Sequence, residues 1–275
     1  MYITDFMFDD VWLSELGYMV CSFSNSSQGE ISNGSNIEFK TTPIFGGEHF
    51  LLAKSSYPEV ITATLQICKK TCVSDYDPAM TVDEISKLTA WLCRKYFCDL
   101  VVNAQGYYDE DHPENTIYFV GSFTKVSRVE FGGMTIGLTL EFISDAPFAH
   151  RQLIEEQLTF TESGTQSVDI NTDYIGDFYP DYIMVECSAD GNLQIGFSHN
   201  SMEIANCVTN ERIEINYPEI HSSIRSDAQL ASNFNYEFPK LYHDESVTLS
   251  TSNEFTANMP CTIYFGYSPI VNISI

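Results

Sequence analysis

A mainly β protein of two domains is the architecture this sequence predicts, and three observations predict it. The 275 residues are too many for one ordinary domain and suit two of about 130 residues each. The composition is 44% hydrophobic and 13% aromatic, with 19 Phe and 16 Tyr, a bias that favours sheets. Helical periodicity is clear in one segment of the N-terminal half. After His150 it gives way to short apolar runs punctuated by turn residues.

Taken in order, Tyr2, Ile3, Phe6 and Phe8 alternate imperfectly and make a first strand over residues 2–8. Residues 13–23 are a second apolar run, with Gly17 as its bend. Residues 24–36, SNSSQGEISNGSN, are a loop too polar to bury; its length marks it as mobile or as part of an interface. Residues 37–40, 50–53 and 60–67 supply further strands.

Residues 81–97, TVDEISKLTAWLCRKYF, read as a helix: Val82, Ile85, Leu88, Leu92 and Tyr96 recur at three- and four-residue spacing and share one face. Thr81 and Glu84 have the spacing of a capping box, and Met80 with Ile85 that of a hydrophobic staple. Arg94 and Lys95 suit the dipole at the helix end. The helix is expected to plug an open sheet or barrel, since a recognition helix fits poorly with so acidic a chain.

After a polar stretch at 104–116, residues 117–149 carry the strongest pattern. Ile117, Phe119, Gly121 and Phe123 alternate with polar or small neighbours, and Val129 and Phe131 lead into Gly132–Gly133. Ile136, Leu138, Leu140 and Phe142 then alternate again. This is the pattern of antiparallel strands around a Gly-Gly turn. The run stops at Pro147, which cannot donate to a ladder. A domain over 1–149 with its helix at 81–97, then a second over 150–275, follows.

In the second half, candidate strands lie at 153–160, 165–170, 183–187, 193–197, 212–216, 234–238, 246–251 and 261–267, separated by Gly, Asn and Pro. Strands at about ten-residue spacing with such punctuation read as a β-sandwich or jelly roll.

Thirteen Lys plus Arg against 38 Asp plus Glu give a formal charge of −25. Such a surface repels nucleic-acid backbones and anionic membranes. The N-terminus lacks the basic and long apolar regions of a signal peptide, and no apolar run approaches the ~20 residues that span a bilayer. The expectation is cytoplasmic synthesis without a membrane stage, and eight reduced, buried cysteines. The spacings Cys68-x3-Cys72 and Cys93-x4-Cys98 miss the two-residue zinc pattern, so no metal is assigned.

Catalytic signals are weak, and no catalytic or cofactor-binding residue is assigned. The six His residues are scattered, at 49, 112, 150, 199, 221 and 243. Gly196-Phe197-Ser198-His199-Asn200 begins like a nucleophile elbow but lacks the second Gly and the following helix. Asp109, Glu110 and Asp111 have oxygen ligands for a divalent cation but not the spacing of a calcium loop, and read as a solvated tip. Glu155–Glu156 are adjacent, whereas glycosidase carboxyls face each other across a bond. The chain has no P-loop and no dinucleotide fingerprint. An alternative function is glycan binding by the second domain, with Tyr242, Tyr264 and Tyr267 as stacking candidates.

Several segments, taken in order, carry a resemblance to a family. DFMFDDVWLSELGYMVCSF near the N-terminus, ISKLTAWLCRKYF on the helix and GSFTKVSRVEFGGMTIGLTLEFISDAPFA at the hairpin are three. ERIEINYPEIHSS, FNYEFPKLYHDESVTLST and CTIYFGYSP follow in the second half. Together they resemble the distal tail proteins of long-tailed phages, over nearly the whole chain. The resemblance implies a split β-barrel-like N-terminal domain with one helix and a galectin-like or jelly-roll β-sandwich after it. It further implies a structural hub without enzyme activity, a homo-oligomer forming a hexameric ring at the virion tail tip after assembly in the host cytoplasm. One face would meet the tail tube protein and the other a tail-associated or hub protein, with receptor-binding or baseplate proteins held outside; a cell-wall hydrolase activity would belong to the neighbouring protein. Two features depart from the family. A long arm insertion in the second half is missing, and six copies at −25 each would carry −150, which basic partners or cations must offset.

Overall fold

The computed structural model describes residues 3–23, 37–43, 50–57, 59–70, 77–103, 115–244 and 250–271. The chain forms two compact units: Met1–Gln152 together with Val271–Ile275, and Leu153–Ile270.

The first unit contains β1 (Phe6–Phe8), β2 (Val11–Trp12), β3 (Tyr18–Cys21), β4 (Glu38–Pro43), β5 (Phe50–Ser56), β6 (Thr62–Lys69), α1 (Val82–Leu92), β7 (Cys98–Asn103), β8 (Thr116–Phe131), β9 (Met134–Ser144) and β10 (Ala149–His150). The main sheet runs β2-β1-β7-β8-β9-β6-β3, with β10 added beside β8. It is open, not closed into a barrel: β2 and β3 end the order and do not pair. Gly132 and Gly133, at φ 59° and 79°, make the tight turn between β8 and β9. Two successive positive φ values are what a two-residue hairpin of the right twist requires. The basic stretch after Phe123 does not interrupt the strand: β8 continues through it, with register shifts at Phe123/Lys125 and Val129/Glu130.

The helix begins as its sequence dictates. Glu84 N–H donates to Thr81 Oγ1 (3.3 Å) and Thr81 N–H to Glu84 Oε2 (2.6 Å), a complete capping box. Ile85, Leu88 and Leu92 are buried in the core with Met80, whereas Val82 is exposed. The helix stops at Leu92, five residues short of the predicted end. Cys93 leaves helical geometry at φ −84° and ψ 77°, and the Arg94 guanidinium instead reaches Asp9 Oδ2 (2.9 Å). The chain is thereby turned into β7, and Tyr96 and Phe97 are exposed.

The core of this unit is aromatic. Phe123 lies 5.7, 5.1 and 5.3 Å, ring centre to ring centre, from Phe6, Phe8 and Phe142. Trp91 packs on Phe6 and Phe8, and its indole N–H donates to the Phe8 carbonyl (3.1 Å). Gly121 sits where this packing admits no side chain. A Cβ there would meet the Ile143 carbonyl oxygen at 2.3 Å and the Phe142 ring at 2.4 Å. Gly121→Ala is therefore expected to cost about 1–3 kcal/mol through overpacking, read as a lowered thermal midpoint.

The second unit contains β11 (Ile154–Phe160), β12 (Gly164–Ile170), β13 (Gly176–Phe178), β14 (Tyr182–Cys187), β15 (Gly191–Phe197), β16 (Asn200–Cys207), β17 (Arg212–Asn216), β18 (Glu219–Ser222), α2 (Asp227–Ala231), β19 (Leu241–His243), β20 (Thr251–Ala257) and β21 (Cys261–Tyr267). Sheets β11-β21-β14-β17-β18 and β12-β20-β15-β16 are joined by a smaller pair, β13-β19. Their inward residues form one core: Ile183, Val185, Ile263 and Phe265 from the first, with Ile195, Met202, Ile204 and Phe255 from the second. This is the expected β-sandwich, produced by period-two alternation on both sheets.

Two expectations fail locally. A five-residue helix, α2, occurs where no helix was read; Ser226 and Gln229 form its capping box. Residues 234–238 are not a strand. Phe234 makes a single bridge to Ile204, after which Tyr236 takes a left-handed conformation at φ 59° that ends any ladder. The expected strand at 246–251 falls largely outside the described residues.

Candidate interaction surfaces

Strands β4 and β5 pair only with each other among the described residues. Phe39, Leu51 and Leu52 are 59%, 60% and 53% exposed. Leu51 and Leu52 are consecutive in a strand, so they point to opposite faces. Both faces of this ribbon thus carry uncovered apolar side chains. A two-stranded hairpin is marginal in water by itself, and exposed apolar strand surface is what an assembly contact uses. The sequence held a signal for this: Leu51–Leu52 breaks the period-two alternation that a strand with one buried face would show. A second exposed apolar pair, Phe131 and Met134, flanks the glycine turn at the tip of β8 and β9.

The second unit is pinned by a buried ion pair. Arg225 Nε and Nη2 donate to Glu211 Oε1 (2.7 Å) and Oε2 (3.0 Å), and Nη1 donates to the Ala205 carbonyl (2.8 Å). The Glu211 side chain has no exposed surface, and that of Arg225 is 11% exposed. Burial pushes the Glu211 carboxyl up, but donors from Arg225, Ser222 and the Val208 N–H outweigh it and hold the group below its ordinary value. Cys187, Cys207 and Cys261 lie buried nearby. The Cys207 thiol is lowered to about 7, first by a hydrogen bond from Cys187 and also by the charge of Arg225. The seven cysteines within the described residues form no disulfide; Cys72 lies outside them.

The tyrosines singled out for glycan stacking are not brought together. Tyr267 is 2% exposed and part of the sandwich core. Tyr264 is half-buried on β21 between Gln157 and Met184. Tyr242 is half-buried on β19, its ring 4.2 Å from that of His199.

The other candidates resolve into local structure. His199 Nδ1 pairs with Asp177 (2.9 Å), but Ser198 Oγ accepts from the Glu254 N–H (3.2 Å), so the elbow-like segment does not assemble a nucleophile. Glu155 accepts the Tyr182 hydroxyl. Asp109 to Asp111 lie outside the described residues. Among the described residues, no group of three or more His, Cys, Asp or Glu is placed to hold a metal, and no helix is long and apolar enough to cross a membrane.

Comparison with known proteins places these surfaces in context. A family model described as a phage tail protein N-terminal domain matches residues 1–146, and one described as a phage tail C-terminal domain matches residues 148–267. Among solved structures, the chain is similar to the Dit protein (gp 19.1) of phage SPP1, described as a paradigm of the hub adsorption apparatus in phages infecting Gram-positive hosts. That likeness has 13% identity and a TM-score of 0.65, and covers 97% of this chain and 99% of that one. A chain of the phage P2 baseplate, in its activated conformation with Ca, aligns over 96% of this chain and 98% of its own at 9% identity, with a TM-score of 0.45. No curated protein matches the sequence.

Proposed function

The chain belongs to a phage tail protein family, its two halves matching the N- and C-terminal domains, and from that premise we propose that it is the non-enzymatic hub of a tail tip. In this reading the first unit associates into a ring, a hexamer, that joins the tail tube protein on one face to a tail-associated protein on the other. The second unit faces outward toward baseplate or receptor-binding components. The protein reaches the virion tail tip after assembly in the host cytoplasm. The Dit fold, shared over almost the full length of both chains, supports the reading.

The observation that carries it is the β4–β5 ribbon, apolar on both faces and uncovered in the single chain. A closed ring uses one heterologous contact repeated until the rotation closes, and an exposed apolar ribbon is suited to meet the next copy. Each copy adds a charge of −25, so repulsion opposes the contact at low salt. Screening shortens from ~30 Å at 0.01 M to about 8 Å at physiological strength. Ring formation is therefore expected to strengthen with moderate salt, the reverse of a contact driven by ion pairs. Native mass spectrometry of the full chain across a salt series reads this directly. Phe39→Asp with Leu52→Asp should leave a folded monomer; a monomer at every salt and concentration in the unaltered chain, even with the tube protein added, overturns the proposal.

A further inference from the structure

On the solvent side of the sheet β12-β20-β15-β16, an open cleft of about 390 Å³ has five amides among its eleven lining residues. Gln194 on β15 stands opposite Glu203 on β16. Residues 233–235 run beside β16 through the single bridge at Phe234, with Ala205 N–H donating to the Asn233 carbonyl (2.8 Å) and Asn235 N–H to the Glu203 carbonyl (3.1 Å). On the other side, Asn258 N–H donates to the Gln194 carbonyl (3.2 Å). Polar side chains from four segments thus converge on one face.

Their orientations are fixed before any ligand arrives. Gln194 Nε2 donates to Glu203 Oε1 (3.0 Å) and Ser201 Oγ (3.2 Å). Gln194 Oε1 and Glu203 Oε2 are left without a partner among the described residues. Asn192 Oδ1 accepts from the Asn206 N–H (3.0 Å), and its amide N–H groups have no partner among the described residues. An amide donor, an amide acceptor and a carboxylate oxygen suit neighbouring hydroxyls, each of which both donates and accepts.

An exposed aromatic residue follows the lining residues Phe234 and Asn235 in the chain. Tyr236 is 61% exposed, its ring centre 5.4 Å from that of Phe234, which lines the cleft. Its backbone is left-handed at φ 59°, a conformation that a bulky residue keeps only where its surroundings impose it. Asn235 imposes it: its side chain donates to the Ser201 carbonyl (2.9 Å) and accepts from the Glu237 N–H (3.1 Å).

We infer that this cleft binds neutral pyranosides, with Tyr236 stacking on the sugar face and Gln194, Glu203 and Asn192 taking its hydroxyls. A polar, amide-lined floor differs from the apolar centre of a protein interface. Glu203 and the chain's charge of −25 select against uronates and phosphate-bearing polymers. The inference does not depend on ring formation, since the cleft is built from the second unit alone.

Saturation-transfer NMR on the full chain, with the methyl glycosides of glucose, galactose, N-acetylglucosamine and rhamnose, tests it. At least one is expected to bind with a Kd of about 1 mM. Tyr236→Ala and Gln194→Ala should weaken it about tenfold or more, while Tyr236→Trp retains it. Methyl glucuronide should bind Glu203→Gln but not the unaltered chain. The absence of transfer from all four glycosides, or transfer that survives Tyr236→Ala in a chain with an unchanged thermal midpoint, overturns the inference. A photo-crosslinker at position 235 that captures another tail protein in intact tails, with no saccharide signal, also overturns it.

Discussion

Arg225→Ala is expected to destabilise the C-terminal sandwich by about 3–5 kcal/mol, a large share of the roughly 5–15 kcal/mol that holds a typical domain. The effect comes from what remains behind. Glu211 is fully buried, so removing the guanidinium strands a carboxylate where solvent cannot reach it. The Ala205 carbonyl loses its donor as well. Replacing both partners, as in Glu211→Leu with Arg225→Met, should cost less than Arg225→Ala alone, because no buried charge is left uncompensated. Urea unfolding of the three proteins at neutral pH makes the comparison.

The pH dependence of this pair has a definite sign. In the folded unaltered protein the Glu211 pKa is depressed, so its contribution is present above the unfolded carboxyl value of about 4.3 and is lost as pH falls through the folded value. Stability should therefore decline on acidification. In Arg225→Ala, burial is opposed only by the weaker donors, the folded pKa rises above the unfolded one, and the slope reverses: the variant recovers part of its loss as pH falls. Unfolding curves at pH 7 and pH 4 separate the cases. A variant that loses further stability on acidification would show that the pair is not what holds Glu211 ionised.

Phe123→Ala is expected to cost the N-terminal unit about 3–5 kcal/mol. Phe123 is 1% exposed and is the ring that Phe6, Phe8 and Phe142 share. Those partners are held on two strands, β1 and β9, so none can follow the shrinking side chain without breaking its own ladder, and a cavity remains. Phe123→Leu fills part of the void and should lose less. Denaturant unfolding measures both, and near-equal losses would mean that the surrounding rings collapse into the space.

Sequence patterning fixed what depends on neighbouring residues. The Gly132–Gly133 turn follows from two adjacent residues that tolerate positive φ, and the start of α1 from Thr81 and Glu84 three positions apart. The buried sides of β8, β9, β14, β15 and β21 follow from period-two alternation, because strand geometry converts it directly into faces. The order of the resemblance-bearing segments likewise identified the family that the N- and C-terminal models match.

Alternation names a face but not the strand that will lie beside it, and the remaining features depend on that choice. The end of α1 is set by Asp9 and Phe8, more than eighty residues away in sequence, which engage Arg94 and Trp91. Strand β16 alternates only at Met202 and Ile204 among polar residues, too briefly to stand out, and is held by β15 on one side and residues 233–235 on the other. The Glu211–Arg225 pair and the cleft around Gln194 and Glu203 have no period at all. They arise where packing the sheets brings polar side chains from separate strands and turns together. Their energy comes from burial and proximity, quantities that exist only once the chain has chosen its neighbours.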